Sequence, residues 1–179
     1  MYRKLKNCEL NRLSNEQFKA ANKIPIVLVL DNIRSQHNIG AAFRTADAFA
    51  LEKIVLCGIC ATPPSPEIHK SALGAEETID WCHYSDSVKA VLDLKQEGYS
   101  IISVEQTENA TQLNNISPSS GVKYALVFGN EVKGVQQEVV DISDVVVEIP
   151  QFGTKHSLNV SVSMGIVIWE IVNKLKILF

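Results

Sequence analysis

The sequence predicts an α/β fold in which a mainly parallel sheet is sandwiched by helices. Two observations support this fold class. Short runs of β-branched residues alternate along the chain with longer segments of helical character, which is typical of repeated strand–helix units. The first run, at 24–30, is almost wholly apolar and stops at Asp31, as expected of a central strand that is covered on both faces.

The remaining elements of the first half follow in order. A helix is predicted at 41–51 and a strand at 54–57. Because residues 58–77 contain three prolines, we expect them to be mainly loop, with at most one turn of helix. A strand at 78–82 and a helix at 86–96 come next, and that helix stops shortly before a glycine.

The second half continues the alternation but contains one ambiguous segment. Strands are predicted at 99–104, 124–128 and 145–149, and a helix at 135–142. From residue 159 onwards, polar and apolar residues at first alternate as in a strand. The segment as far as residue 172 is apolar on several sides, however, so we favour a helix buried in the core or against a second subunit.

The composition narrows the class of protein. A chain with 46% hydrophobic and 21% charged residues is typical of a globular protein, and no apolar run reaches the roughly 20 residues of a membrane helix. The N-terminus lacks the apolar core of a secretory signal, so we expect a cytoplasmic protein without a membrane partner. Neither a Gly-rich dinucleotide motif nor a Walker lysine loop follows the first strand, which argues against a standard nucleotide-binding fold.

Charge is distributed unevenly along the chain. The net charge of −3 by itself argues weakly against a nucleic-acid partner. Residues 1–23, here called the N-terminal arm, hold six basic and two acidic side chains, a net charge of +4, which leaves −7 for the remainder. A basic arm on an acidic body suits contact with phosphate groups, although a solvated tail explains it equally well.

Cys57 and Cys60 have a C-x-x-C spacing. The favoured interpretation is a reduced pair packed at the end of a strand, and the alternative is a metal or redox site. A zinc site would need a second pair of ligands at similar spacing, and the sequence shows none, so no metal is predicted.

Three predicted strands end at residues suited to a ligand site. Val104, Gly129 and Pro150 mark these ends, and ligands of parallel sheets bind at the carboxyl ends of the strands. After Pro150 the chain forms a polar loop that leads to Ser157 and Asn159, which can cap the last helix. Such a strand, loop and helix N-terminus can hold a ligand, although an ordinary capped connection has the same features.

Three separated clusters contain the polar residues that could carry chemistry. Singly, Asn38 is explained as a helix cap, Arg44 as part of a surface ion pair and Glu131 as a turn carboxylate. The clusters are Asn38-Ile39-Gly40 with Phe43-Arg44-Thr45-Ala46-Asp47-Ala48-Phe49, Phe128-Gly129-Asn130-Glu131 with Gly134, and Ile149-Pro150 with Ser157-Leu158-Asn159-Val160-Ser161. In this order and spacing, the chain resembles the SpoU/TrmH-type RNA ribose 2′-O-methyltransferases of the SPOUT superfamily over roughly residues 26–170.

The resemblance implies a methyltransferase domain at 24–179 whose C-terminal part, roughly 100–179, forms a deep trefoil knot. It also implies S-adenosylmethionine as cofactor and a homodimer with active sites at its interface. By resemblance, the cofactor-binding residues are Val104, Glu105, Gly129, Ile149, Ser157 and Leu158. The catalytic residues would be Arg44, Asn38, Glu131, Ser157 and Asn159.

Individual roles are also implied by the resemblance. Arg44 would grip a phosphate beside the target ribose with its planar fork, a role that we prefer to that of base because arginines have a very high pKa. Glu131 would orient Arg44, in its own chain or across the dimer, and Asn159 would hold the substrate or the loop. The pair Gln151-Phe152 departs from the residues that the family often has there.

The expected function is therefore S-adenosylmethionine-dependent methylation of a ribose 2′-hydroxyl in RNA. We expect tRNA rather than rRNA as the substrate, because the chain is compact. The alternative function is that of an RNA-binding or assembly factor that has the same fold and little catalytic activity. Intact candidate catalytic residues argue against this alternative.

Overall fold

The structure is a computed structural model that describes residues 2–175, and it contains seven strands and six α-helices in this range. The strands are β1 (Ile24–Asp31), β2 (Leu51–Cys57), β3 (Asp80–Tyr84), β4 (Tyr99–Val104), β5 (Thr111–Gln112), β6 (Lys123–Phe128) and β7 (Val145–Glu148). The helices are α1 (Asn15–Ala20), α2 (Gln36–Ala48), α3 (Pro66–Ala72), α4 (Ser87–Gln96), α5 (Gln137–Asp141) and α6 (Val160–Lys174).

All seven strands form one parallel sheet in the order β3-β2-β1-β6-β4-β7-β5. Side chains of β1 alternate between two cores, because successive residues of a strand point to opposite faces. Ile26 and Leu28 belong to the core shared with α2, α3 and α6, whereas Val27 and Val29 belong to the core shared with α4 and α5. The predicted α/β sandwich with a parallel sheet is thereby confirmed.

Two predictions for residues 32–77 were wrong. Helix α2 begins at Gln36 rather than at residue 41, because Ser35 caps it by accepting a hydrogen bond from the Asn38 backbone N–H at 3.3 Å. Residues 58–77 contain helix α3, which has two turns instead of the single turn expected. Its proline, Pro66, occupies the first helical position, where a missing N–H costs nothing and the fixed φ favours the helix.

The last segment is a helix, as favoured. Asn159 caps α6 by accepting a hydrogen bond from the Ser161 N–H at 2.9 Å. One side of α6, which includes Met164 and Ile168, is fully buried in the core. The opposite side is exposed at Val162, Ile166 and Trp169. One side of the helix thus faces the core and the other faces solvent, which explains the alternation of polar and apolar residues at its start.

Strand β7 lies between β4 and β5, although it follows both of them in the chain. The backbone N–H of Glu105, just after β4, donates to the carbonyl of Val147 in β7 at 3.0 Å. A C-terminal part that is threaded through a loop would place a later strand between two earlier ones, as β7 lies between β4 and β5. The trefoil knot at 100–179 itself stays a prediction.

Both cysteines of the C-x-x-C spacing are buried and reduced. The Cys60 thiol accepts from the N–H of Ile33 and donates to the carbonyl of Leu30, both at 3.2 Å. Burial raises the pKa of Cys57 to about 12 and that of Cys60 to about 11, so both stay protonated at neutral pH. This geometry fits the packed pair rather than a metal or redox site, both of which use the thiolate.

The N-terminal arm is largely exposed over its described part, residues 2–23. Its helix α1 begins with a capping box, in which Ser14 and Gln17 exchange side chain to backbone hydrogen bonds. The Arg3 guanidinium forms an exposed ion pair with Glu9 at 2.9 Å. Across residues 2–175, every helix is too short or too polar to span a bilayer.

The buried carboxyl group of Asp31, at the end of β1, joins three parts of the fold. It accepts hydrogen bonds from the Ser87 hydroxyl at 2.5 Å, from the Gln136 backbone N–H at 2.8 Å and from the Gln136 side chain at 2.7 Å. The Asn32 side chain also donates to it at 2.8 Å. Four donors therefore converge on a carboxyl group that is 0% exposed, which ties β1 to α4 and to the chain before α5.

We expect Asp31→Asn to lower the free energy of unfolding by about 3 kcal/mol, because the new amide directs N–H groups at buried donors and leaves at least one of them without an acceptor. Urea denaturation measures the change. The matched control is Asp141→Asn on α5, where the exposed carboxylate accepts a hydrogen bond from Gln137 at 2.7 Å. Equal unfolding midpoints for the two variants would contradict the role assigned to Asp31.

Candidate active site

A cavity of about 520 Å³ opens at the carboxyl ends of β4, β6 and β7. Its volume lies in the range that small-molecule sites in proteins commonly have. All six predicted cofactor-binding residues line this one cavity: Val104, Glu105, Gly129, Ile149, Ser157 and Leu158. The structure therefore brings together three segments that are far apart in sequence.

The loop after β6 approaches the cavity closely because Gly129 has no side chain. A Cβ atom at Gly129 would collide with the backbone of Gly134 and Val135. These residues fold into a tight turn, in which Asn130 and Gly134 exchange two backbone hydrogen bonds of 3.0 and 2.9 Å. Gly134 has a positive φ of 70°, a conformation that suits glycine.

Asn130 attaches this turn to the chain that follows β1. Its side-chain N–H donates to the Asn32 carbonyl at 2.7 Å. Its side-chain oxygen accepts from the N–H groups of Val132 and Lys133 at 2.9 and 3.1 Å. One side chain thus sets the shape of the turn and its position against the β1 end of the sheet.

Glu131 makes a second attachment, to the start of α2. Its carboxylate accepts from the N–H groups of Arg34 and Ser35, both at 3.0 Å, and from the Asn38 side chain at 3.1 Å. Burial acts to raise the pKa of Glu131, but the backbone N–H groups of Arg34, Glu131 and Ser35 and the Asn38 amide outweigh it, and the pKa is lowered. Glu131 therefore remains a charged acceptor at neutral pH.

Within one chain Glu131 does not contact Arg44, because both of its carboxylate oxygens bond to residues 34, 35 and 38. Its part in orienting Arg44 stays a prediction. Arg44 lies about two turns further along α2, is exposed and does not line the cavity. Its guanidinium forms no hydrogen bond or ion pair with residues 2–175. Glu131 lines the cavity and is bonded to Asn38, which lies behind it, whereas Arg44 is not part of this contact.

The loop after β7 completes the cavity wall. Residues 151–159 are exposed throughout, and Phe152 is 98% exposed. The Gln106 side chain donates to the His156 carbonyl at 2.9 Å and thereby links this loop to the chain after β4. Asn159 caps α6 and lines the cavity together with Ser157. Its part in holding the substrate or the loop stays a prediction.

Sequence reasoning missed a second role of one predicted residue and several further residues of the site. Glu105, which was assigned to cofactor binding, also accepts hydrogen bonds from the N–H groups of Val135 and Gln106 at 2.9 and 2.8 Å. The other cavity residues that the sequence reasoning did not select include Gln106, Asn130, Lys133, Glu148 and His156. All of them lie within three residues of a predicted position, so their proximity in sequence was the available signal.

A metal centre is not formed by the described part of the chain. Residues 2–175 contain no cluster of three or more His, Cys, Asp or Glu side chains that could hold an ion. The cavity instead offers backbone groups, amide side chains and a few apolar side chains. Such a lining suits an organic ligand with hydrogen-bonding edges.

Comparison with known proteins places this geometry in a family. The model of the SpoU rRNA Methylase family matches residues 25–169. The 23S rRNA (guanosine-2′-O-)-methyltransferase RlmB of Neisseria meningitidis serogroup B is 34% identical over 146 residues, which cover 82% of this chain and 57% of that protein. The chain spans about 57–63% of the length of the curated relatives that it matches.

Two solved structures have the same fold. The TrmH/SpoU tRNA modifying enzyme of A. aeolicus superposes with a TM-score of 0.79 at 23% identity, covering 90% of this chain and 81% of that chain. The AdoMet-bound rRNA methyltransferase from Sinorhizobium meliloti also has a TM-score of 0.79 at 23% identity, with coverages of 88% and 60%. The matches in sequence and fold together show that this chain belongs to the SpoU rRNA methylase family.

Proposed function

We propose that this protein is an S-adenosylmethionine-dependent methyltransferase that acts on a ribose 2′-hydroxyl in RNA. The observation that supports it most strongly is the convergence of three distant segments on one cavity of about 520 Å³. Family membership supports the same activity, since the RlmB relative is named as a guanosine-2′-O-methyltransferase. The names of the relatives include both tRNA and rRNA, and the preference for tRNA stays a prediction.

The cavity suits the proposed cofactor. S-adenosylmethionine supplies a methyl group on a sulfonium, and its adenine presents hydrogen-bonding edges that loop N–H and C=O groups can read. Gly129 lets the turn 129–135 close and so shapes one wall, and Val104, Ile149 and Leu158 provide apolar contact surface. Glu105 and Ser157 provide polar groups at the same wall.

Most of the rate enhancement would come from positioning, because the 2′-oxygen and the methyl carbon must be held in line at near-attack distance. We assign Arg44 to a phosphate beside the target ribose, which its planar fork can hold with two hydrogen bonds. Its exposure and its lack of a partner among residues 2–175 leave the fork free for this contact. Glu131 would act indirectly, by fixing the start of the helix that carries Asn38 and Arg44.

The proposed active form is a homodimer. Val162, Ile166 and Trp169 are spaced by four and three residues and form one exposed apolar face of α6. Beside this face lies an apolar groove of about 450 Å³, to which Ile149 and Ile166 contribute. Because Ile149 also lines the active-site cavity, a second copy seated on the groove would reach the edge of that cavity.

The same face is connected to the helix that carries Arg44. The ring of Trp169 packs edge-on against Phe49, the residue that caps the C-terminus of α2, with ring centroids 6.3 Å apart. In a dimer formed through this surface, Arg44 would lie near the partner, which would explain why it is remote from the cavity of its own chain. We further propose that the dimer acts in the cytoplasm and that the N-terminal arm contacts RNA.

The activity itself is tested by mapping 2′-O-methyl groups in RNA from cells with and without the gene, together with a cofactor titration of the purified protein. If the protein is the proposed enzyme, deletion of its gene removes a methyl group from the map. The purified protein then also binds S-adenosylmethionine. An assembly factor with little activity would leave the map unchanged, which would reject the proposal.

For Arg44→Lys we expect kcat/KM for RNA methylation to fall roughly 100-fold or more, because lysine keeps the charge but loses the fork. Cofactor affinity should stay unchanged, since Arg44 does not line the cavity. The control is Arg3→Lys, which makes the same chemical change in the arm. Near-normal methylation by Arg44→Lys would contradict the phosphate assignment.

For Gly129→Ala we expect the affinity for S-adenosylmethionine to fall about tenfold or more, because the added Cβ displaces the turn that forms the cavity wall. Isothermal titration calorimetry measures the affinity. Gly153→Ala is the matched control, since a Cβ there meets no described atom within 4 Å. A folded Gly129→Ala protein with unchanged affinity would show that this wall does not bind the cofactor.

For Trp169→Glu we expect the dissociation constant of the dimer to rise roughly 30-fold or more, because a charge replaces a large apolar contact. Methylation should fall in parallel at low protein concentration. Analytical ultracentrifugation measures the association. The control is Leu92→Glu on α4, where a leucine of similar exposure, 43% against 51%, lies on the other side of the sheet. If both variants associate like the wild type, the α6 face is not the interface.

A further inference from the structure

The basic side chains of the body divide into two groups. Within the described residues 24–175, six lysines bond to a carboxylate or a carbonyl: Lys53, Lys70, Lys89, Lys95, Lys123 and Lys174. The other four cations, Arg34, Arg44, Lys133 and Lys155, are exposed, and their side chains bond to none of the residues 2–175. Arg34 and Lys133 engage neighbours only through their backbone N–H groups.

Three cations of the second group lie at or beside the cavity, and the fourth, Arg44, lies further along α2. Lys133 lines the cavity itself. Arg34 is held beside Glu131 by a backbone hydrogen bond of 3.0 Å. Lys155 precedes His156, a cavity residue whose carbonyl accepts from Gln106 at 2.9 Å. The paired lysines, in contrast, include Lys89 and Lys95 on α4, which packs on the other face of the sheet.

The cavity rim is therefore the place where positive charge on the body is least neutralised. Two carboxylates close to these cations, those of Glu105 and Glu131, already accept hydrogen bonds from backbone N–H groups. The body as a whole is acidic, with a net charge of −7 outside the arm. Because an acidic surface repels a nucleic acid, RNA should approach the body at the cavity rim, where the unpaired cations are concentrated.

We infer that Arg34, Lys133 and Lys155 bind phosphates of the RNA strand on both sides of the target nucleotide and thereby extend the contact assigned to Arg44. This inference rests on the proposed function and names the residues that hold its substrate. Lys133 lines the cavity and Arg34 and Lys155 lie beside it, and all three charged side chains are exposed, which suits the sugar-phosphate backbone and not the reading of a base. They make affinity for RNA dependent on salt and independent of sequence.

The test compares two double variants that remove the same charge from the same residue type. One is Lys133→Gln with Lys155→Gln at the rim, and the control is Lys89→Gln with Lys95→Gln on α4. Binding of bulk tRNA and of a poly-uridine strand is measured between 50 and 200 mM salt, about the range over which counterion release is pronounced. Arg34→Gln is measured in the same way against the wild type.

For the rim variant, the slope of log affinity against log salt concentration should become shallower by about 1.5 with both RNAs, because each lost phosphate contact removes about 0.7 to 0.9. Arg34→Gln should change the slope by about half as much. The α4 control should keep the wild-type slope. A rim variant that also keeps the wild-type slope, or that weakens binding with one RNA only, would overturn the inference.

A cofactor titration separates this inference from the proposed function. If the wild-type protein binds S-adenosylmethionine and both RNAs while the rim and control variants behave alike, the inference fails and the proposed function stands. If the wild-type protein binds neither RNA at 50 mM salt, both are overturned. Thermal melting of each variant confirms that exposed Lys→Gln changes leave the fold intact.

Discussion

The site depends on hydrogen bonds that join the chain after β6 to the chain after β1. Asp31 receives the backbone N–H of Gln136, and Glu131 receives the N–H groups of Arg34 and Ser35. These three bonds connect residues roughly one hundred positions apart, at the ends of two neighbouring parallel strands. Because buried or partly buried carboxylates are costly without donors, these contacts hold the two loops in one arrangement. The cavity wall at Gly129 and the start of α2 are thereby fixed relative to each other.

These hydrogen bonds explain why we assign the cofactor and the substrate to different parts of the site. One chain forms the whole cavity wall at the ends of β4, β6 and β7, whereas Arg44, which we assign to the substrate, is exposed and lies outside that wall. An exposed apolar face on α6 then gives a physical reason for a second copy, since Val162, Ile166 and Trp169 stay partly exposed among the described residues. The carboxylates of Glu105 and Glu131 accept hydrogen bonds from backbone N–H groups, which holds the loops at the cavity in place. For the same reason these carboxylates leave the cations at the cavity rim unpaired among the described residues.

The sequence could predict what depends on local pattern. Strand β4 matched its predicted bounds, 99–104. Helix α3 was missed because three prolines suggested a loop, although a proline at the first helical position favours a helix. The partners of Glu131 could not be predicted, because they depend on which strands are neighbours in the sheet and not on nearby residues. The six cofactor positions came from the family resemblance, and the structure brings them to one cavity.

The central claim, that three segments form one cofactor site, is tested most directly by backbone amide NMR during a titration with S-adenosylmethionine. The account predicts that chemical shifts change together at 104–106, 129–135 and 149–159, with a single dissociation constant. Changes confined to one of these segments, or centred on the other edge of the sheet near β3, would contradict it.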